Sequence, residues 1–302
     1  MKKLQKATSY TVVGLTLLFC LSPRALAVSD LIGYWNFDEA TGLTTADSSG
    51  NGNDGTITGS GVSHSVVLPP TSCFVNTHSV QFDGSGGYVS IADNSSMDPA
   101  SQISISFWMN PDTVTNGFQH IIFKQGPVVT SYGVWLNGDH IYMEDNDNSI
   151  RGLNSNTTVT PGVWHYITVT YDGTDQKLYI DGSLDNSQSI PGITLSYTNS
   201  PVKVGSGDYN NPFAGYVDDL RIYGRALTAS EIADLAGGGC GPGVASAASQ
   251  SSGTGQPPAS PTDSQPTLTN TGAAVLPTTI VSAVLLASAI GIKQHSFKRK
   301  GL

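Results

Sequence analysis

Between residues 28 and 240 the apolar positions recur at every second residue. Ile103, Ile105, Phe107 and Met109 alternate with Ser104, Ser106 and Trp108, and Ile167, Val169 and Tyr171 alternate with Tyr166, Thr168 and Thr170. Val80 and Phe82 flank Gln81, and Val134 and Leu136 flank Trp135. A period of two buries one face of each segment, the pattern of half-buried strands. Gly, Asn, Asp and Pro clusters bound these segments. Asn137-Gly138, Asp172-Gly173 and Asp181-Gly182 are pairs that reverse a strand locally. Roughly ten or more short strands without intervening helices predict an all-β, antiparallel two-sheet sandwich. One helix interrupts the pattern: Thr228-Ala229-Ser230-Glu231 is a capping box, Ile232 and Leu235 give the next turns an apolar edge, and Gly237 to Gly239 end them.

The two ends of the chain read differently. Residues 1–27 combine a basic start (Lys2, Lys3, Lys6), an apolar run from Tyr10 to Leu21, and Ala25-Leu26-Ala27, whose small residues suit cleavage after Ala27. These are the three parts of a secretory signal, an uncleaved anchor being the alternative. Bulky Phe19 before Cys20 excludes a lipoprotein signal. Residues 273–292 carry no charge, and a helix of that length spans about 30 Å, enough to cross a bilayer. Lys293 and Lys298-Arg299-Lys300 follow, and the positive-inside rule keeps this tail, residues 293–302, in the cytoplasm. Residues 241–272 are Ser, Thr, Pro, Gly and Ala with Asp263 as the one charge, the composition of a disordered linker.

Charge agrees with this arrangement. The 302 residues carry a net charge of −9, but eight of the 14 basic residues lie in the first 27 and last ten positions. All 23 acidic residues fall between, which excludes the basic stripe that a nucleic-acid binder needs. Low charge (12%), 34 Gly and only three Glu also argue against helical bundles.

Several stretches carry a resemblance. Leu31-Ile32-Gly33-Tyr34-Trp35-Asn36-Phe37-Asp38-Glu39 and the loop from Asp47 to Gly55 open it. Phe82-Asp83-Gly84, Ile105-Ser106-Phe107-Trp108, Trp164-His165-Tyr166 and Leu178-Tyr179-Ile180-Asp181-Gly182 continue it in order, and the run from Gly215 to Thr228 closes it. In this order they resemble the laminin-G-like, concanavalin-A-like jelly-roll domains over residues 30–236, with the domain placed at 28–240. The resemblance implies a two-sheet jelly roll of about a dozen strands that binds glycans or proteins; one fold hosts many sites, so it does not name the ligand. Leu268-Thr269-Asn270-Thr271-Gly272, just before the apolar stretch, similarly resembles a sortase sorting signal cut between Thr271 and Gly272, although Thr269 stands where that family has Pro.

Four chemical expectations follow. The loop from Asp47 to Gly55 gathers Asp47, Asp54, Asn51, Asn53 and three glycines, and Asp218 lies in phase with Leu220 and Ile222 on the closing strand. A carboxylate on a buried face must be paired or coordinated. Related jelly rolls hold a structural calcium where this loop meets the last strand, which carries over to Asp47, Asn51, Asn53 and Asp218. Hydrogen bonding of Asp218 to loop amides without metal, or an exposed Asp218, are the alternatives. Once the signal is removed, Cys73 and Cys240 remain; outside the cytoplasm an even count suggests a bridge, two free thiols being the alternative. Tyr132, Trp135, Tyr209 and Phe213 are candidates to stack on sugar rings, or else belong to the core.

Glu144-Asp145-Asn146-Asp147 lacks the Glu-x-Asp-x-Glu acid pair of glucanases with this fold and reads as a solvent-facing hairpin tip or a minor cation site. His64, His78, His120, His140 and His165 are scattered without metal-ligand spacing, and no nucleophile elbow or phosphate loop occurs. The chain therefore reads as a non-enzymatic, cell-surface-anchored recognition or adhesion protein that binds a glycan or extracellular partner. A structural surface subunit without soluble ligand is the alternative, and a glycoside hydrolase or lyase of the same fold the third reading.

Overall fold

The computed structural model describes residues 30–244 apart from 100, 128–129, 147–149, 193–194, 196 and 207–210. The expected signal, linker from residue 245, sorting motif, membrane span and basic tail lie outside the described residues, as does Tyr209. Among the described residues no helix is long and apolar enough to cross a membrane.

The chain begins with β1 (Leu31–Trp35), β2 (Thr44–Thr45), β3 (Gly55–Thr58), β4 (Val62–Ser65), β5 (Ser79–Asp83) and β6 (Tyr88–Ile91). It continues with β7 (Ile103–Pro111), β8 (Phe118–Gln125), β9 (Thr130–Asn137), β10 (His140–Asn146) and β11 (Ile150–Thr158). The last strands are β12 (His165–Tyr171), β13 (Asp175–Ile180), β14 (Ser183–Ser189), β15 (Val202–Val204) and β16 (Ala214–Tyr223), followed by helix α1 (Ala229–Ala236). They form two antiparallel eight-stranded sheets. Sheet I runs β14-β13-β12-β7-β16-β5-β4 with β1 also on β16, and sheet II runs β11-β10-β9-β8-β15-β6-β3-β2. The expected jelly-roll sandwich is the observed fold. At the β12–β13 neighbour, the hairpin into β14 turns on Asp181 (φ 51°) and Gly182 (φ 79°), two consecutive left-handed residues of the kind that match strand twist.

The main core lies between the sheets. Ile105, Phe107 and Met109 of β7, Val80 and Phe82 of β5, and Val134 and Leu136 of β9 all enter it, as their alternation requires. The other face of sheet I is also covered: Tyr34, Trp108, Tyr166, Tyr179 and Tyr223 pack with Leu227, Ile232 and Leu235 of the closing segment. Every residue of β7 is therefore buried, including Ser104 and Ser106, where alternation alone predicts an exposed face. Ser104 is satisfied there, its hydroxyl donating to the Arg225 carbonyl (2.8 Å) and accepting from the Leu227 amide (2.9 Å). The capping box forms as expected: the Thr228 hydroxyl accepts from the Glu231 amide (3.3 Å), and the Glu231 carboxylate from the Thr228 amide (2.8 Å).

Cys73 and Cys240 form a disulfide with Cα atoms 4.5 Å apart. It ties the segment before β5 to the residue after α1's terminal turn, across a separation of 167 residues. In the chain-entropy description a loop of that size contributes up to about 5 kcal/mol. At the β11 and β14 edges the sheets are joined by side chains: Asp185 accepts from the Asn156 (2.5 Å) and Thr157 (3.0 Å) amides, and Asn186 and Gln188 donate to the Asn154 and Gly152 carbonyls. These bonds cover a strand edge that would otherwise be open to pairing.

Candidate functional site

Sheet II presents a different outward face. Val134 and Leu136 on β9 and Ile141 and Met143 on β10 point into the core, so Gly133, Trp135, Tyr142 and Glu144 lie on the opposite side. On β8 a register shift between His120 and Ile122 puts both Ile121 and Ile122 in the core and leaves His120 and Phe123 outward. The result is a connected set of rings. Phe118 meets Tyr142 edge-on at 5.0 Å, Tyr142 lies 5.7 Å from Trp135, and His120 stands 6.0 Å from Trp135 and 5.2 Å from Phe123. Such edge-to-face spacings suit the ring quadrupoles.

Two glycines set the tilt of these rings. A Cβ on Gly133 would collide with the Trp135 ring, and one on Gly152 with the Tyr142 phenol. Glu144 pairs across the strands with Gly133 on one side and Gly152 on the other, so its carboxylate stands between positions covered by an indole and a phenol. The Tyr142 hydroxyl donates to Glu144 Oε2 over 3.4 Å. Burial raises the Glu144 carboxyl above the usual carboxylate range, against hydrogen bonds from Thr130 and Tyr142 that lower it. Burial and the neighbouring Glu144 charge push Tyr142 up to about 12. Phe118 is 44% exposed, and Tyr142 and Glu144 are partly so, which gives this corner access to solvent.

Of the residues singled out for ring stacking, Trp135 lies on this face but is only 5% exposed. Tyr132 and Phe213 require correction, since both are fully buried in the core. Tyr132 is in phase with Val134 and Leu136, and its hydroxyl donates to the Met97 carbonyl (3.1 Å); Phe213 packs edge-on against Phe82 at 6.3 Å. Neither can lie under a sugar. Phe118 and Tyr142 were missed, although Tyr142 alternates with Ile141 and Met143 just as Trp135 does with Val134 and Leu136.

Glu144 and Asp145 are also corrected: they belong to β10 and not to a hairpin tip. As consecutive strand residues they face opposite ways. Asp145 is buried, accepts from Gln176 Nε2 (3.1 Å), and is pushed up to about 7 mainly by burial. Two acids cannot flank one glycosidic bond from opposite faces of a sheet.

The expected calcium ligands do not assemble as one site. Asp47 Oδ1 accepts from the Tyr34 and Ser49 amides and Oδ2 from the Asn53 amide. Asn51 donates its side-chain amide to the Leu31 and Ile32 carbonyls, and Asn53 donates to Ile32 while its Oδ1 accepts from Asn94. Asp218 keeps other company, accepting from Asn76 Nδ2 (2.7 Å) and the Asp219 amide (2.8 Å). The expected phase fails because β16 shifts register between Asp218 and Arg221, with Asp219 at φ 50°; Val217, and not Asp218, joins Leu220 and Ile222 in the core. This donor set does not fit the ion, and among the described residues no group of three or more His, Cys, Asp or Glu could hold a metal.

Comparison with known proteins agrees with the geometry. Residues 83–233 match the Laminin_G_3 family model, described as the concanavalin A-like lectin/glucanases superfamily. Human pappalysin-1 is 27% identical over 92 residues, which span 29% of this chain and 6% of that protein. The binding domain of Paraclostridial Mosquitocidal Protein 1 superposes with a TM-score of 0.56 at 20% identity, covering 68% of this chain and 51% of that one. Domain 4 of AbnA, an extracellular GH43 arabinanase of Geobacillus stearothermophilus solved in complex with arabinotriose, gives 0.55 at 22% identity, covering 69% and 98%. With two antiparallel sheets, the ordered motifs and a family match across half its length, the chain belongs to the laminin-G-like branch of the concanavalin A-like lectin/glucanases superfamily.

Proposed function

We propose that this chain is a recognition protein that holds a glycan or an extracellular partner on the outward face of sheet II. The observation that carries the reading is the solvent-reachable corner of Phe118 and Tyr142 beside Glu144, on a face where, among the described residues, Glu144 and its neighbour Asp145 point opposite ways. Flat rings beside polar acceptors provide stacking and orientation for a sugar or a peptide side chain. Recognition is favoured over hydrolysis because Glu144 and Asp145 act on opposite sides of β10. That domain 4 of AbnA was solved with arabinotriose, and that the mosquitocidal domain is a binding domain, support a binding role for a related sandwich.

In this reading the signal at 1–27 exports the head, and the stretch at 273–292, with or without sortase cleavage at Thr271, keeps it at the cell surface. The test is a glycan array probed with the purified full chain and with its Phe118→Ala/Tyr142→Ala double variant. Binding that the double variant loses is expected; no binding, or binding that both chains share, contradicts the assignment.

A second reading, an assembly subunit without soluble ligand, draws on Val66 and Val75, which are 76% and 87% exposed on the segment leading to and following Cys73. Concentration-dependent self-association that Val66→Ser/Val75→Ser abolishes would favour it.

A further inference from the structure

Resting on the reading of sheet II's outward face as a recognition surface, the ligand's chemistry can be narrowed. We propose that this face binds an organic cation, an alkylated ammonium group, seated at the Phe118–Tyr142 corner with the Glu144 carboxylate as its counter-charge.

Three observations converge on that choice. First, Glu144 is half-buried, yet the partners described for it are neutral: the Tyr142 and Thr130 hydroxyls. A charge withdrawn from water in this way calls for a compensating charge. Second, the lysines and arginines whose side chains the structure describes are engaged elsewhere in the fold. Lys124 is fully buried against Asp93 and Asp98 (2.5 Å to the latter), Arg221 lies against Asp219, Arg225 grips Glu231, and Lys177 sits by Asp172. Lys203, on the same face of sheet II, reaches over the Tyr88 ring at 5.1 Å. Third, Phe118 and Tyr142 meet at an interplanar angle of 64°, so they offer two differently directed aromatic surfaces beside one carboxylate. Aromatic faces attract ammonium groups through the ring quadrupole, most strongly where water is thinned out.

Long-range charge points the same way, because all 23 acidic residues lie between the two basic ends. Such a field concentrates cations near the head and repels anionic glycans. A neutral sugar could stack on the rings but would leave Glu144 uncompensated, which is why the cation is preferred.

The experiment compares choline with 3,3-dimethyl-1-butanol, its uncharged isostere, by calorimetric titration of the full chain. Choline is expected to bind saturably and the alcohol about tenfold or more weakly. Glu144→Gln, which preserves shape, should lower choline affinity by about tenfold, and Phe118→Ala, at an exposed position, should lower it as well. Equal affinity for the two probes, indifference to Glu144→Gln, or absence of saturable choline binding overturns the proposal. If choline fails while the array yields a neutral glycan that requires Phe118 and Tyr142, the cation assignment alone falls. If neither probe engages the face, the recognition reading falls with it.

Discussion

The two sheets have similar inner faces and unlike outer ones. Outside sheet I, Arg221 is buried with its guanidinium 4.0 Å above the Tyr34 ring, and its Nη1 donates to the Asp219 carbonyl (3.1 Å). Tyr34 donates to Asp219 Oδ1 at 2.6 Å, and the segment from Leu227 to Leu235 packs with the surrounding tyrosines. Outside sheet II, a comparable set of rings lies beside Glu144, but the corner at Phe118 stays open and the hydrogen-bond partners described for Glu144 are neutral hydroxyls. Arginine over a ring with its own carboxylate is a closed structural unit. In the proposal above, the carboxylate beside rings on sheet II takes its counter-charge from a ligand instead.

The comparison can be broken at several points. Arg221→Ala should have the largest effect, a loss of about 3–5 kcal/mol by urea unfolding, because Asp219 is left buried without its counter-charge. Ile232→Ala, which opens a cavity beneath α1, should cost about 2–4 kcal/mol in the same assay. If either costs less than the other sheet's Phe118→Ala, the outer face of sheet I is not the structural one.

A pH series separates the buried acid from these. Asp145 is pushed up to about 7 by burial, so the folded chain holds a proton that the unfolded chain releases near pH 4. Its contribution to stability is therefore present at low pH and declines as pH rises from about 4 through about 7. Asp145→Asn should flatten that decline in urea midpoints, and an unaltered slope would contradict the assignment. Phe118→Ala should cost less, about 1 kcal/mol, while weakening binding, since the ring is 44% exposed. Smallest of all, a chelator should leave the melting temperature unchanged, because the oxygens of Asp47 and Asp218 are occupied by separate sets of donors; a marked drop would restore a metal at one of them.

How far the sequence reveals these features depends on how local each one is. Alternation identified β5, β7, β9 and β12, the capping box identified α1, and the cysteine count pointed to Cys73–Cys240. Alternation also contained the answer for Tyr132, which shares its phase with Val134 and Leu136. What it could not contain was the irregularity in β16, where one left-handed residue, Asp219, moves Asp218 out of the core's phase. Nor could it show that α1 and the tyrosines would cover the second face of β7, or that Gly133 and Gly152 would flank Glu144 across two strand pairs. Those are properties of register, set by residues far apart in the chain.

The four tryptophans allow the most direct test of the assignment of recognition to sheet II. Trp35 is held in the core, its indole donating to the Asn53 carbonyl (2.9 Å); Trp108 packs outside sheet I against Tyr166, and Trp164 lies near Tyr216, while Trp135 belongs to the sheet II face. With the indoles labelled for NMR, titration of the strongest ligand should move the Trp135 resonance and leave the other three in place. A shift at Trp108 or Trp164 with Trp135 unmoved would place binding elsewhere and contradict the account.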